Sequence, residues 1–319
     1  MRVPLATGLA VLALPLASCS GAARDAAAAR PPALTTAQAG TVLRTYEQTN
    51  AKANKALDPT LLATVETGPQ LQMDVALYTL NRATGKKLTP FSYQNPVFYI
   101  PRLTGHPRWF AVDAASTVRD QQIRHALLFV QDADGGPWKL AADPQRNGSG
   151  PIGGVAVDDA GYARVPTPAK LALTPGRLAT AHAALLGGGP KAPGAAGLAA
   201  GPLTTGTYEL MKKAGTQIGT AGISFSAQFS PATPQTYALA TQDGGALVWY
   251  VLRQKETYAP ATTKAKKIPI TGDLVGLAPR RSVRHLTSTV LIQYLAVIPR
   301  KGDVTVSGAT RKAVSADTT

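Results

Sequence analysis

Cys19 carries the only thiol in the 319-residue chain, and it stands directly after an apolar run. A thiol can act as a nucleophile, ligate zinc, form a disulfide or carry a lipid. A single cysteine excludes an intramolecular disulfide. The apolar run, Val3 to Leu14, follows one positive charge at Arg2 and is shorter than the roughly 20 residues that a membrane-spanning helix needs. It therefore predicts a signal peptide over residues 1–18.

The residues Leu16-Ala17-Ser18-Cys19 resemble the lipobox of bacterial lipoproteins, in which a branched residue and two small residues precede the cysteine. The resemblance implies that the Cys19 thiol receives a diacylglyceryl group, with acyl chains such as palmitate, and that the leader is cut after Ser18. The mature protein would then be anchored at the extracytoplasmic face of the cell membrane, with residues 19–35 as a lipidated flexible tether. The alternative is a plain secretory signal that leaves Cys19 as a free thiol.

The histidines His106, His125, His182 and His285 are the other candidates for acid–base chemistry, and Asp113 is the plausible carboxylate near the first two. A working dyad needs the imidazole within hydrogen-bond reach of both carboxylate and substrate. The local sequence instead favours a turn for His106, an Ala-rich helix for His182, and exposed strand starts for His125 and His285. Motifs for a nucleophilic serine, a zinc helix or an acidic metal cluster are lacking. The sequence therefore predicts no catalytic, cofactor-binding or metal-binding residues.

Positive charge accumulates in the second half of the chain. Residues 151–319 contain 18 Lys and Arg against 8 Asp and Glu, whereas residues 19–150 contain 14 against 10. The excess is concentrated between Arg253 and Arg284, and such a surface favours anionic partners. For an exported chain these are anionic lipids or wall polymers rather than nucleic acid; the alternative is a solvated face that only maintains solubility. The candidate residues are Lys264, Lys266, Lys267, Arg280, Arg281 and Arg284.

Helices precede strands between the tether and residue 143. Thr35-x-x-Gln38 has the form of a capping box and predicts a helix that extends to about Leu57. Asp58-Pro59 begins a second helix, and a third follows Gly68-Pro69. After Gly85 the pattern changes to apolar strands, with a Gly-rich turn over residues 132–136 that predicts an antiparallel hairpin. This order is typical of an α+β domain with helices packed on one face of a curved sheet.

The same order returns after residues 144–169, whose Gly, Pro and Asp content predicts a linker crossed by one or two short strands around Val155 and Tyr162. A helix begins at Thr174-Pro175, and a weaker one is centred on Tyr208 to Lys213. Further strands include a long one from Val283 to Ile298. The sequence thus predicts two related α+β domains, 36–143 and 170–316. A shared hairpin pattern without common ancestry is the alternative.

Two features of the first half resemble the cone-shaped α+β fold of nuclear-transport-factor-two-like domains. They are the break at Thr67-Gly68-Pro69 and the strand-turn-strand LLFVQDADGGPWKL. Taken with the lipobox, the chain resembles the uncharacterised lipoproteins of actinobacteria. The resemblance implies two cone-like domains, each with N-terminal helices packed into a bent antiparallel sheet. It implies little about activity, because this fold serves enzymes and non-catalytic modules alike.

The sequence therefore predicts a membrane-anchored, non-catalytic binding or scaffolding module of the cell envelope, with an envelope protein as a further partner. The alternatives are an enzyme or a carrier for a small hydrophobic ligand held in one cone-like domain. Aromatic side chains could line such a pocket, although their alternation along strands favours core packing. They are Tyr93, Phe98, Tyr99, Trp109, Phe110, Trp249, Tyr250 and Tyr258.

Overall fold

The computed structural model describes residues 30–89, 92–118, 121–147 and 150–318. The predicted signal peptide, Cys19 and most of the predicted tether lie outside the described residues. Helices and antiparallel sheets make up the described part, which confirms the predicted α+β class.

Three helices open the fold: α1 (Thr36–Ala56), α2 (Pro59–Leu62) and α3 (Gly68–Thr84). The predicted capping box is confirmed, because Thr35 Oγ1 accepts from Gln38 N at 3.2 Å and Gln38 Oε1 accepts from Thr35 N at 2.8 Å. Asp58 caps α2 through its side chain, and Pro59 occupies the first turn. All three helices begin where the local sequence predicts a helix start.

The first sheet has five antiparallel strands that follow one another in chain order. β1 pairs with β2, β2 with β3, and β3 with both β4 and the short β5. The predicted hairpin is confirmed, since β3 and β4 flank the turn over residues 132–136 and Gly135 supplies its left-handed φ of 68°. The strands are β1 (Gln94–Tyr99), β2 (Arg108–Val118), β3 (Gln121–Gln131), β4 (Lys139–Ala142) and β5 (Gln145–Asn147).

The second half again places helices before strands. After a short 3-10 helix at Pro168–Lys170 come α4 (Pro175–Gly188) and α5 (Thr205–Gly219), the latter longer than predicted. β6 and β7 pair with β8, β8 with β11, and β11 with β12, so this sheet also follows chain order. The strands are β6 (Ile223–Pro231), β7 (Tyr237–Ala240), β8 (Ala246–Pro260), β9 (Ile268–Pro269), β10 (Ser282–Val283), β11 (Leu286–Ile298) and β12 (Thr305–Thr318).

Two strand predictions were wrong. The predicted strand from Val283 to Ile298 is divided, because β10 pairs with β9 in a separate ribbon and the sheet strand β11 starts only at Leu286. The predicted short strands of the linker are isolated bridges only. There the Asp158 side chain accepts backbone N–H groups of Ala160 and Tyr162, which folds the chain into a tight turn.

The two sheets stack back to back, and helices cover their outer faces. Side-chain alternation along β2 produces this arrangement: Phe110 points toward α1, whereas Trp109 points toward the second sheet. On β8, Tyr250 packs under α4 and Trp249 packs against the first sheet. The layer order is therefore helix, sheet, sheet, helix.

Contacts between the halves are extensive. Trp249 is 1% exposed and donates from Nε1 to Ala126 O at 2.8 Å, across the sheet-to-sheet interface. Helix α3 packs against β4 of the first sheet and against β11 and β12 of the second. Gly276 approaches α3 so closely that an added Cβ would lie 2.9 Å from Thr79 O. β3 of the first sheet pairs with two later strands, whereas β8 of the second pairs with two earlier ones, and a common core joins the halves. The division into two related domains stays a prediction.

Replacing Trp249 with Ala tests the shared core. We expect the free energy of unfolding to fall by about 3–5 kcal/mol, because a large buried side chain leaves a cavity. Urea denaturation followed by circular dichroism measures this change. Leu210→Ala on α5 is the control, since Leu210 is 67% exposed and its truncation should change stability by less than about 0.5 kcal/mol. Equal effects of the two substitutions would contradict the shared core.

Candidate functional site

A buried polar cluster lies between α1, α3 and the helix-covered face of the first sheet. Helical spacing places Tyr46 and Asn50 on one face of α1, because residues four apart are neighbours. Strand alternation turns Ser116 and His125 toward the same face as the core residue Phe129. The members of the buried polar cluster are Tyr46, Asn50, Glu66, Gln70, Asp74, Tyr93, Ser116, His125, Asp143 and Gln293.

Glu66 is fully buried at the centre of this cluster. Its Oε1 accepts from Tyr46 Oη at 3.0 Å and from Asn50 Nδ2 at 3.3 Å, whereas Oε2 meets no N–H or O–H donor among the described residues. Desolvation by burial, followed by repulsion from Asp74, raises the pKa of Glu66 well above its ordinary value. The neutral acid is therefore favoured, and its proton can form a hydrogen bond to Asp74.

A chain of amides carries the cluster from Asp74 into the second half. Gln70 Nε2 donates to Asp74 Oδ2 at 3.0 Å, and Gln293 Nε2 on β11 donates to Gln70 Oε1 at 3.0 Å. Gln293 Oε1 in turn accepts from Asp143 N at 2.7 Å. Burial also raises the pKa of Asp74. Because each amide has a defined partner, the network fixes how the two halves align.

Ser116, His125 and Asp143 form a line with the order of a catalytic triad. Ser116 Oγ lies 2.7 Å from His125 Nε2, and Asp143 Oδ2 lies 2.8 Å from His125 Nδ1. In hydrolases the same order provides a nucleophile, a general base and an orienting carboxylate. Geometry within the line therefore permits proton transfer from the serine hydroxyl.

The surroundings of this line favour a structural role. Ser116 is 1% exposed and lies within a strand, rather than at an exposed turn as a nucleophile requires. Four cavities in the described part of the chain are lined by other side chains. The hydrogen bonds satisfy buried polar groups that would otherwise destabilise the fold.

Asp113, the carboxylate considered for a dyad with His106 or His125, has other partners in the structure. Asp113 forms an ion pair with Arg124, and its Oδ2 accepts from Ile152 N at 3.0 Å. It is an odd-numbered residue of β2 and so points to the opposite face from Ser116. The expected exposed position of His125 was wrong, since that residue is 5% exposed. His106 and His285 are exposed.

His182 is buried in the core of the second half. Its Nδ1 lies 2.9 Å from Tyr250 Oη and its Nε2 lies 2.9 Å from Leu203 O, while Tyr294 packs edge-on against the ring. Burial lowers the pKa of His182 to about 4. The ring is therefore neutral at physiological pH, with Nε2–H donating to Leu203 O and Nδ1 accepting from Tyr250. These contacts agree with a structural role.

Glu256 organises a polar group on the helix-covered face of the second sheet. Its carboxylate accepts from Gln254 Nε2 and Arg311 Nη2 at 2.8 Å each, and from Tyr258 Oη and Ser288 Oγ at 3.1 Å each. Both oxygens thus accept hydrogen bonds from donors on β8 itself, β11 and β12. This group stabilises the sheet and offers no unsatisfied atom to a ligand.

A basic surface is built on the ribbon of β9 and β10. Ile268 lies opposite Val283 in this antiparallel pair, and both pack inward against Leu286. Lys267 immediately precedes β9 and Arg284 immediately follows β10, so the pairing brings them to the same end of the ribbon. Two segments that are separate in the sequence are thereby brought together at the surface.

We name this surface the basic ribbon, and its residues are the six predicted candidates Lys264, Lys266, Lys267, Arg280, Arg281 and Arg284. All six side chains are exposed. None of them belongs to a salt bridge within the described part of the chain. Their charges therefore face solvent without local neutralisation.

A family model described as Domain of unknown function (DUF8094) matches residues 30–318. The chain belongs to this family. The match covers all of the described residues, so the stacked sheets, the buried polar cluster and the basic ribbon lie within the family domain.

Three relatives from Streptomyces are each named as an uncharacterised lipoprotein. Two come from Streptomyces coelicolor. One is 30% identical over 94% of this chain and 89% of its own length. The other is 27% identical over 87% of this chain and 84% of its own length. The third, from Streptomyces avermitilis, is 29% identical over 94% of this chain and 90% of its own length. Similarity to actinobacterial lipoproteins is thus confirmed, whereas the nuclear-transport-factor-two-like assignment is not.

No solved structure matches the chain. Across the residues that the structure describes, no helix has the length and apolar character required to span a membrane. Those same residues contain no group of three or more His, Cys, Asp or Glu positioned to hold a metal ion.

Sequence reasoning missed Glu66, Ser116 and Asp143 as partners in the polar cluster. One signal was available for His125, which precedes the core residues Leu127 and Phe129 at a spacing of two and so shares their face. Its partner Asp143 lies 18 residues away, beyond a turn and another strand. Such pairings depend on strand register, which the local pattern does not specify.

Glu66→Gln tests the buried acid. The pKa of Glu66 in the folded state is raised above its unfolded value of about 4.3. The protonated acid therefore contributes to the free energy of unfolding at low pH. This contribution is lost as pH rises through the folded pKa, by at most about 1.4 kcal/mol per pH unit. We therefore expect the variant to gain stability relative to wild type as pH rises from 4.5 to 8, measured by urea denaturation. Glu209→Gln, at an exposed site, is the control. A pH-independent difference between wild type and Glu66→Gln would contradict this account.

Proposed function

We propose that this protein is a membrane-anchored envelope lipoprotein that acts as a non-catalytic binding module. The names of its relatives and the lipobox-like residues that end at Cys19 support a lipid anchor on the extracytoplasmic face. The span from Cys19 to Thr36 can extend at most about 60 Å, which keeps the folded part close to the membrane.

The basic ribbon is the observation that carries the proposed binding function. Six exposed cations lie in two sequence segments that the β9–β10 pair brings together, and no described acid forms a salt bridge with them. Near an anionic surface each Lys or Arg contributes about 1 kcal/mol, and the attraction decays within a Debye length of about 8 Å at physiological salt. The two anionic surfaces that we propose as partners are phospholipid headgroups and wall polymers.

Several contacts support a non-catalytic module over an enzyme. Ser116, His125 and Asp143 are buried and joined by hydrogen bonds. Each carboxylate oxygen of Glu256 also accepts a hydrogen bond. His182 is neutral and packed between aromatic rings. These groups are accounted for by the stability of the fold, so the functional surface that we propose lies outside them.

Cys19→Ala tests the anchor. We expect the substitution to abolish diacylglyceryl labelling and to move the protein to the soluble fraction, because two acyl chains bind membranes firmly through about 0.8 kcal/mol per buried methylene. Radiolabelled lipid incorporation and fractionation are the measurements, and Ser18→Ala serves as the control that keeps a small residue before the cysteine. An unmodified Cys19 thiol in the native protein, detected by mass spectrometry, would contradict the anchor.

Replacing the six residues of the basic ribbon with Gln tests the surface. In a leaderless protein we expect weaker binding to anionic phospholipid vesicles or to a teichoic-acid-like polymer, and wild-type binding that falls as salt rises. Co-sedimentation with each partner distinguishes the two. The matched control removes six exposed cations elsewhere: Lys52, Arg177, Lys191, Lys212, Lys213 and Lys301.

Both sets of substitutions lower the net charge by six, so only the position of the charges differs between them. Equal loss of binding in the two variants would mean that total charge, rather than the basic ribbon, determines the interaction. Salt-independent binding by wild type would contradict an electrostatic mechanism altogether.

A further inference from the structure

We propose that a cleft at the end of the first helical layer binds a single-chain organic anion. The cleft lies between the last turns of α1 and the segment that follows α3, and its volume is about 580 Å³. Ligand sites in proteins typically measure about 300–1,000 Å³. This site uses none of the residues of the basic ribbon, so it goes beyond the surface-binding function proposed above.

The charge at the cleft favours an anion. Lys55, Lys86 and Lys87 line it, are exposed, and form no salt bridge within the described residues. Glu47 is the one acid among the lining residues, and its Oε1 accepts from Tyr93 N at 2.8 Å. The helix dipoles of α1 and α3 each place about −0.5 elementary charge at their C-termini. Three lysines exceed these negative contributions and leave a net charge of about +1.

The walls of the cleft are apolar. Leu57 and Leu88 line it and pack behind on the buried residues Leu62 and Tyr78, which hold them in place. Ala51 provides a small, exposed side chain on the α1 side. A hydrocarbon chain placed against these groups would be removed from water, which contributes about 0.8 kcal/mol per methylene. The lining therefore fits a ligand with a charged head and an aliphatic body.

Two amides at the base of the cleft connect it to the buried polar cluster. Asn50 donates to Glu66 Oε1 at 3.3 Å, and its Oδ1 accepts from Asn54 Nδ2 at 2.6 Å. Asn54 Oδ1 accepts from Tyr78 Oη at 2.6 Å. The side-chain amide of Asn54 has two N–H groups, and these bonds use one of them. The other can donate to an oxygen of the ligand. The base of the cleft thus offers a donor, which suits a carboxylate head.

Isothermal titration of the full leaderless chain with decanoate tests the proposal. Acetate carries the head without the chain, and decanol carries the chain without the charge. We expect decanoate to bind at least about tenfold more tightly than either. The combined substitution Lys55→Gln, Lys86→Gln and Lys87→Gln should weaken decanoate binding about tenfold or more. Its matched control is Lys52→Gln, Lys212→Gln and Lys213→Gln, which removes the same charge from exposed sites outside the cleft.

Ala51→Trp provides a second variant that fills the cleft without changing its charge. Ala51 is exposed on α1, so the helix should tolerate the larger side chain, and circular dichroism checks the fold. Undiminished decanoate binding by either cleft variant, equal binding of acetate, or no binding of decanoate overturns the proposal. The six-residue Gln variant of the basic ribbon should retain decanoate binding whatever its behaviour with vesicles, so the two proposals can fail independently.

Discussion

The apolar contact between the backs of the two sheets constrains everything else in this fold. Once Trp249 and Leu128 face each other across that interface, each sheet is buried on its inner side, and strand alternation forces every second residue to the helix-covered outer side. Both faces of both sheets are then covered, so neither sheet presents a solvated face along its centre. Polar side chains must lie at the ends of the strands, or they must be hydrogen-bonded inside.

This constraint explains where the buried polar groups lie. On the outer face of each sheet, apolar residues occupy one end and polar residues the other: Phe110 and Phe129 give way to Ser116 and His125, and Tyr250 gives way to Glu256. Hydrogen bonds satisfy most polar groups at these ends, since an unpaired buried group costs about 1–3 kcal/mol. Glu66 Oε2 and Asp143 Oδ1 lack a donor among the described residues. For Glu66, burial and the nearby Asp74 raise the pKa, which favours the neutral acid.

Local signals in the sequence predicted the helices well and the side-chain partners poorly. The caps at Thr35 and Asp58 depend on residues within three positions, and the structure contains both. The partnership of His125 with Asp143, by contrast, depends on how β3 registers against β4 and β5, and the contact of Gln70 with Gln293 spans 223 positions. The basic ribbon was predicted as a set of residues, whereas its shape depends on the β9–β10 pair. The sequence pattern had joined Val283 of β10 to β11 in one predicted strand.

The same burial that positions the polar clusters also makes the surface more positive than the composition indicates. Among the described residues, Glu66, Asp113, Asp143 and Glu256 are buried, but no Lys or Arg is. The asymmetry has a physical origin: a carboxylate on a short stem can be enclosed by a few donors, whereas long basic side chains extend their charged ends to water. Because these acids lie in the interior, fewer negative charges remain at the surface to offset the exposed Lys and Arg side chains than the formal net charge of +15 suggests. The interior that stabilises the fold and the basic surface that we propose as functional are therefore two results of one distribution of charge.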